Sequence, residues 1–451
     1  MTTLEEAVQR YHRILESDAH KDLAWANELR DRMLNEKLTI GGRVACPFLR
    51  PNFITRRQLQ TVAKATQALL SAIERMGRVV LENPPLLSRM DLLPAERMLA
   101  TIEPGYSAGL INSMLDLQVT NGSLHVLEHN VNTPAGVAFD DGLASLFYDA
   151  APVREFRKWR RLTKFGGIKH LLHALAAAYK EFGGKRRPRI GILEFRQPFQ
   201  TSTPSEYLLL CEAFVKAGFP AQIVTPEQLD YRNGKLRAEN FEIDVIYRLV
   251  RIHEFLLRYD LSHPLLRAYR DRAVCVVSSF RSEMAHKRSL FDLLTDDSVT
   301  SSFPAAERKA IREYIPWTRL VGMTKTTYND QTVDLPEFIR RNRERLVLKP
   351  NQDSSELHPL PGWETDESSW ERALHRALRL PYVVQERVEP ARALFPVYSF
   401  AGLQMKEMRV DVHPHVYMGR LQSCSSWLSA ATNGTFSTLA GLAPTFILEA
   451  R

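Results

Sequence analysis

The feature that most constrains this chain is a change of hydrophobic period near residue 115. Before it, apolar residues recur at helical spacing. From Thr55 onward, Leu59, Val62, Leu69, Ile73 and Met76 share one stripe, with Gly77 as the expected stop. Thr3 and Glu6 have the spacing of a capping box at the first helix. At Leu115 the period drops to two. Leu115, Leu117 and Val119 alternate with polar residues, Asn121-Gly122 signals a tight turn, and Leu124 and Val126 resume. A helix cannot present that alternation as one face, so an antiparallel hairpin is expected.

Downstream, residues 154–187 read as helix, basic at both ends. Short runs without alternation then follow: Ile190 to Phe195, Ala221 to Val224, Asp244 to Val250 and Ala273 to Phe280. Such β-branched runs suit strands buried on both faces, and a helix expected over 205–216 makes the pattern β-α-β-β. The last third alternates strands at 346–348 and 382–385 with a helix over 370–378. The class is α/β (α+β). Its expected divisions are a helical N-terminal region (1–105), the hairpin and following helices (106–187), an α/β subdomain (188–265) and a final lobe region (266–451).

Composition enters as a filter. With 451 residues, 44% hydrophobic and 25% charged, the chain is globular rather than disordered or collagen-like. The four cysteines lie far apart and make neither a zinc nor a disulfide framework. The N-terminus lacks the apolar run of a signal peptide, and no stretch is long enough to span a bilayer, so a cytoplasmic location without membrane association is expected. A net charge of +8 points to an anionic partner. The basic run Arg154 to Lys164 contains one well-placed aromatic, Trp159, so no stacking platform for nucleic acid forms and a solvated helix face is expected.

Three stretches carry chemistry. In MLDLQVTNGSLHVLEHN, Glu128 and Asn130 lie two apart and so share a strand face. If the loop is the three residues 121–123, Thr120 pairs with Leu124 and Asp116 falls opposite Glu128. Two carboxylates and an amide oxygen on one face suit a hard cation such as Mg²⁺, and two opposed acids repel without a cation or proton. The plainer reading is a solvated hairpin. Lys287, between a strand and a helix, and Lys349, at the end of a strand, are placed to neutralise polyphosphate, against the plainer reading of snorkelling surface lysines. The run Tyr382 to Val388, polar at its end, can offer backbone groups to an adenine edge. His413-Pro414-His415 has metal-ligand residue types but no third ligand nearby, and is expected to be an exposed pair.

Taken in order, these stretches resemble the circularly permuted ATP-grasp family related to glutathionylspermidine synthase. The matching segments are LEHNVNTPAG (127–136), DVIYRLVRIHEF (244–255), the run 263–297 containing EMAHKRSLFDLL, LVLKPN (346–351), PLPGWETD (359–366), YVVQERV (382–388) and GLAPTF (441–446). The resemblance implies an ATP-grasp architecture in permuted order. It implies an ATP- and Mg²⁺-dependent ligase that joins small-molecule carboxylate and amine substrates through an acyl phosphate. It assigns Asp116, Glu128 and Asn130 to Mg²⁺, and Lys287 and Lys349 to the nucleotide phosphates. Gln385, Glu386 and Val388 fall in the adenine segment, while Arg248 and Glu254 fall in a motif on the substrate side. Residues 351–358, where the family carries a glycine-rich loop, contain no glycine. Two readings follow: a working ligase, or an ATP-grasp protein serving as a binding or scaffold module.

Overall fold

The computed structural model describes residues 2–20, 22–120, 123–195, 205–352, 357–399, 402–430 and 439–450. The Asn121-Gly122 turn and residues 353–356 of the glycine-free stretch lie outside them.

The first helix, Thr3–Leu15, is capped one residue earlier than its sequence suggested, with Thr2 and Glu5 forming the reciprocal box. The long helix Arg56–Glu82 is capped by Thr55 with Gln58 and buries the expected stripe from Leu59 to Met76. Gly77 does not stop it. A Cβ there would meet nothing within 4 Å, so the helix tolerates glycine at this position and ends only before Pro84-Pro85.

The hairpin forms from strands Asn112–Val119 and Leu124–Asn130. It lies at the edge of a six-stranded antiparallel sheet completed by C-terminal strands, with Gly402–Tyr417 beside it, then Arg420–Ala430 and Ala440–Ala443, and Arg392–Ser399 pairing with Gly402–Tyr417. One apolar cluster runs from the N-terminal helices through Leu115, Leu117 and Val126 to Val410, Val412 and Leu428.

The runs without alternation form a four-stranded parallel sheet in the order Cys275–Val277, Val245–Arg248, Ile190–Leu193, Ala221–Val224. Three of these strands are shorter than the runs that announced them, while Ala221–Val224 has the bounds expected. The helix Ser205–Lys216 has the bounds expected. Between the second and third of these strands in chain order lies an unanticipated antiparallel meander, Leu229–Arg232, Lys235–Ala238 and Phe241–Ile243. Its first turn places Asn233 and Gly234 at φ of 52° and 71°, the positive values a tight primed turn requires.

The expected helix over 154–187 is two, Ala151–Trp159 and Gly167–Glu181, separated by strand Leu162–Thr163. That strand pairs with Thr445–Leu448, a long-range partner that local periodicity cannot announce. A third sheet, in the order Thr318–Leu320, Tyr382–Glu386, Leu346–Pro350, Leu360–Pro361, is packed by the helix Glu367–Ala377, whose Trp370 is fully buried. All four cysteines are free. Among the described residues, no helix is long and apolar enough to cross a membrane.

Candidate functional site

Asp116 pairs directly with Glu128, by a route that differs from the expected one. Val119, not Thr120, pairs with Leu124, which leaves a four-residue loop, and a bulge at Leu127 takes up the extra residue. The bulge decides the chemistry. Leu124 and Val126 face the core, and strict alternation would send Glu128 and Asn130 the same way. The added residue turns them to the open face, beside Asp116.

On that face, Glu128 meets two cations. Arg288 grips it through Nε and Nη2 at 3.1 and 2.8 Å, and Lys349 Nζ lies 3.4 Å from Oε1. Burial would raise the Glu128 carboxyl, but Arg288 and Lys349 outweigh it and hold it at about 2. Lys349 also donates to the carbonyl of the bulged Leu127 at 3.4 Å. Its own pKa is lowered by burial, against the pull of Glu128. Arg288 donates further to the Pro350 carbonyl at 2.9 Å. Its backbone N–H reaches Asn351 O at 2.9 Å, and Ser289 N–H reaches Asn351 Oδ1 at 2.8 Å. The end of the Leu346–Pro350 strand is thereby stitched to the turn at 287–289.

Asp116 meets His413 from the long strand, Oδ1 to Nε2 at 3.4 Å. The expectation of an exposed histidine pair fails, because Asp116 lies against His413 and Ser425 against a buried His415. His415 is buried and bonds Ser425 Oγ at 3.0 Å; burial drops its pKa to about 3. For His413, burial opposes protonation, but Asp116, Asp411 and Glu128 outweigh it and raise the imidazole above its ordinary value. Asp116, Glu128, Asn130, Lys287, Arg288 and His413 contribute to the lining of a cavity of about 170 Å³.

Lys287 takes a different set of partners. Its ammonium lies 3.2 Å from Glu96 and 3.7 Å from Glu283, and also pairs with Gln352. Glu96, Glu283 and His253 are buried, with one ligand-type atom from each within 4.8 Å of the others. Arg248 is fully buried. It donates to Ser278 O at 2.6 Å, to Val250 O and to Asn132 Oδ1 at 2.7 Å, tying the parallel sheet to the loop after the hairpin. Glu254 is paired with Arg251 at 3.0 Å on the helix Ile252–Arg258. Gln385 is buried and holds Thr318 Oγ1 at 3.1 Å, and Glu386 accepts from Tyr328 at 2.9 Å. Glu386 and Val388 line a second cavity of about 540 Å³, with Trp317 and His125. His125 pairs with Gln118 on the hairpin face that also carries Glu128.

Mg²⁺, which the sequence resemblance implies, finds few open ligands here. Both Glu128 oxygens are engaged by Arg288. Asn130 Oδ1 accepts from the N–H groups of Asn132 and Thr133 at 3.2 and 3.1 Å. Asp116 Oδ1 faces His413 Nε2 at 3.4 Å. With both Glu128 oxygens and the Asn130 oxygen engaged, Asp116 facing His413, and two fixed cations beside them, the set does not fit a divalent ion that takes an octahedron of oxygens.

Arg288 and His413 are the residues that sequence reasoning passed over. Arg288 was legible as a second cation beside Lys287. His413 shared a strand face with Asp411 and His415, but nothing local said that the strand would lie against Asp116.

No family model matches the sequence, and no curated protein matches it significantly. Solved structures do match. A glutathione synthetase-like effector from Globodera pallida, in apo form, superposes with a TM-score of 0.62 at 13% identity, covering 96% of this chain and 98% of that one. A gamma-glutamylcysteine synthetase-like protein from Methylobacillus flagellatus scores 0.44 at 12% identity, covering 86% of each chain. The ATP-grasp ligase PsnB, complexed with a minimal precursor, scores 0.29 at 12% identity over 57% of this chain and 88% of that one. Of these three, the first coincides over nearly its whole length at a TM-score above one half. At such identity the likeness is one of shape: the chain shares the overall fold of the glutathione synthetase-like effector.

Proposed function

We propose that this protein binds ATP and ligates a carboxylate to an amine. The observation that carries the reading is the setting of Lys349. It ends a strand of the third sheet, buried, with its ammonium on the hairpin face at Glu128. Strand Tyr382–Glu386 runs antiparallel beside it and leads to the 540 Å³ cavity at Glu386 and Val388. This reading puts the base in that cavity and the phosphates toward Lys349.

In the reaction, the substrate carboxylate attacks the γ-phosphorus, ADP leaves, and an acyl phosphate forms. The amine then attacks the acyl carbon, phosphate departs, and a proton is released. The chain's own part is positioning and charge. Lys349 and Arg288 neutralise phosphate oxygens, and the walls of the cavity hold the reacting groups in line. Asp116, Asn130, Lys287, Gln385, Arg248 and Glu254 remain proposals for the surrounding site. Arg248 would act there by holding Asn132 and the hairpin loop in place.

Calorimetric titration with ATP tests the reading. Binding that Lys349→Ala weakens at least tenfold supports it; wild-type protein that binds no ATP at millimolar concentration removes it. A second reading, a nucleotide-binding module without turnover, draws on the Arg288–Glu128 pair. ADP release on incubation with amino-acid mixtures separates the two.

A further inference from the structure

We propose that Arg288 stands where a divalent cation would, so that this site binds the phosphates of a nucleotide without a metal ion. The proposal rests on the nucleotide-binding reading above.

Lys287 and Arg288 are consecutive residues in the turn between the helices Glu283–His286 and Ser289–Leu294. Their side chains take different acidic partners, and each enters an acidic cluster. The Lys287 ammonium lies on Glu96 and Glu283, in a cluster whose ligand-type atoms have the spacing of a metal centre. The Arg288 guanidinium lies on Glu128, among the oxygens that a metal would need. At both places the chain supplies its own cation.

The geometry at Glu128 makes this a fixed arrangement. A guanidinium presents a planar fork matched to a carboxylate, and it keeps its charge at any physiological pH. Arg288 uses the fork on Glu128 and a further nitrogen on the Pro350 carbonyl, while its backbone is bonded to Asn351. For a metal to reach Glu128, the side chain must leave three hydrogen bonds in a largely buried place. Asn130 must also give up two backbone donors.

Charge points the same way. Glu128 faces two cations, Arg288 and Lys349, and Asp116 faces His413. A dication brought here meets side chains that already carry positive charge. An unchelated triphosphate instead meets guanidinium and ammonium groups, the donors that suit its oxygens.

The test is ATP binding to the full chain by calorimetry, in excess Mg²⁺ and again in EDTA. The expected result is that wild-type affinity agrees within about threefold in the two conditions. Arg288→Gln, which removes the charge and keeps most of the volume, is expected to lose at least tenfold in EDTA and to regain affinity with Mg²⁺. Should that variant not fold, Arg288→Lys keeps the charge and is expected to bind ATP in EDTA more weakly than wild type. Electron paramagnetic resonance with Mn²⁺ alone gives an independent readout. Wild type is expected to leave the ion free, and Arg288→Gln to capture it. Tenfold weaker wild-type binding in EDTA, or stoichiometric Mn²⁺ capture by wild type, overturns the proposal while leaving nucleotide binding intact. Absence of ATP binding in both conditions overturns the nucleotide reading itself, and this proposal with it.

Discussion

Asp116 and Glu128 stand directly opposite each other in the hairpin, and neither is left to repel the other. Glu128 is held by Arg288 and Lys349, and Asp116 lies 3.4 Å from His413. Two like charges on facing strands would otherwise weaken the pair. Here the three partners come from three distant segments, so the acidic face of the hairpin is neutral only once the whole chain has folded around it.

That dependence can be measured by a double-mutant cycle. Glu128→Gln strands two largely buried cations, and urea denaturation is expected to show a loss of about 2–4 kcal/mol. Combining it with Arg288→Gln removes one stranded charge. The double variant is expected to lose less than the sum of the two single losses by at least about 1 kcal/mol. Strict additivity would mean that the pair contributes nothing to folding.

Stability should also carry a pH signature from Glu206. This buried carboxyl accepts the Gly136 and Ala138 N–H groups at 2.7 and 3.2 Å, at the start of the helix Val137–Asp149. Burial lifts it from 4.5 to about 7, against those hydrogen bonds. A carboxyl whose folded value is raised binds its proton more tightly in the folded state. Its contribution is therefore complete below pH 4.5 and lost as pH climbs through about 7. The span is worth about 3 kcal/mol. In Glu206→Gln the amide oxygen can still accept both N–H groups, and that part of the slope is expected to vanish. Parallel stability curves for the two proteins between pH 4.5 and 8 would show that Glu206 does not titrate in this way.

Two glycines should respond in opposite senses to alanine. At Gly77, inside the helix Arg56–Glu82, the added methyl meets nothing within 4 Å, so Gly77→Ala is expected to stabilise by about 0.5–1 kcal/mol. At Gly441, in strand Ala440–Ala443, a Cβ would lie 2.6 Å from both the Ala45 carbonyl and the Pro47 ring, so Gly441→Ala is expected to cost about 1–3 kcal/mol. Thermal unfolding of the two variants checks both signs. A loss at Gly77 would mean that the added methyl is not accommodated there.

Much of this protein was legible from local pattern. Period-two alternation announced the hairpin, and unbroken β-branched runs announced the parallel strands. The two-residue spacing of Glu128 and Asn130 put them on one face, and Lys349 was readable at the end of its strand. These signals are local because turn chemistry and side-chain periodicity are set by neighbours along the chain. The meander around Asn233-Gly234 was not anticipated, although that dipeptide is a turn signal in its own right.

What the chain alone could not decide is which face and which partners. The face of Glu128 depends on the bulge at Leu127, a choice made by register against Asn112–Val119 and not by spacing along one strand. His413 arrives on a strand whose Asp411 bonds Gln118 across 293 residues of sequence, and Arg288 reaches Glu128 across 160. Burial and long-range register set those meetings, and neither leaves a mark in a local window. The sequence by itself determined that a carboxylate pair and two lysines would be present on defined elements. Only the tertiary structure decided that an arginine would lie on one carboxylate, a histidine beside the other, and one of the lysines on a different acidic cluster.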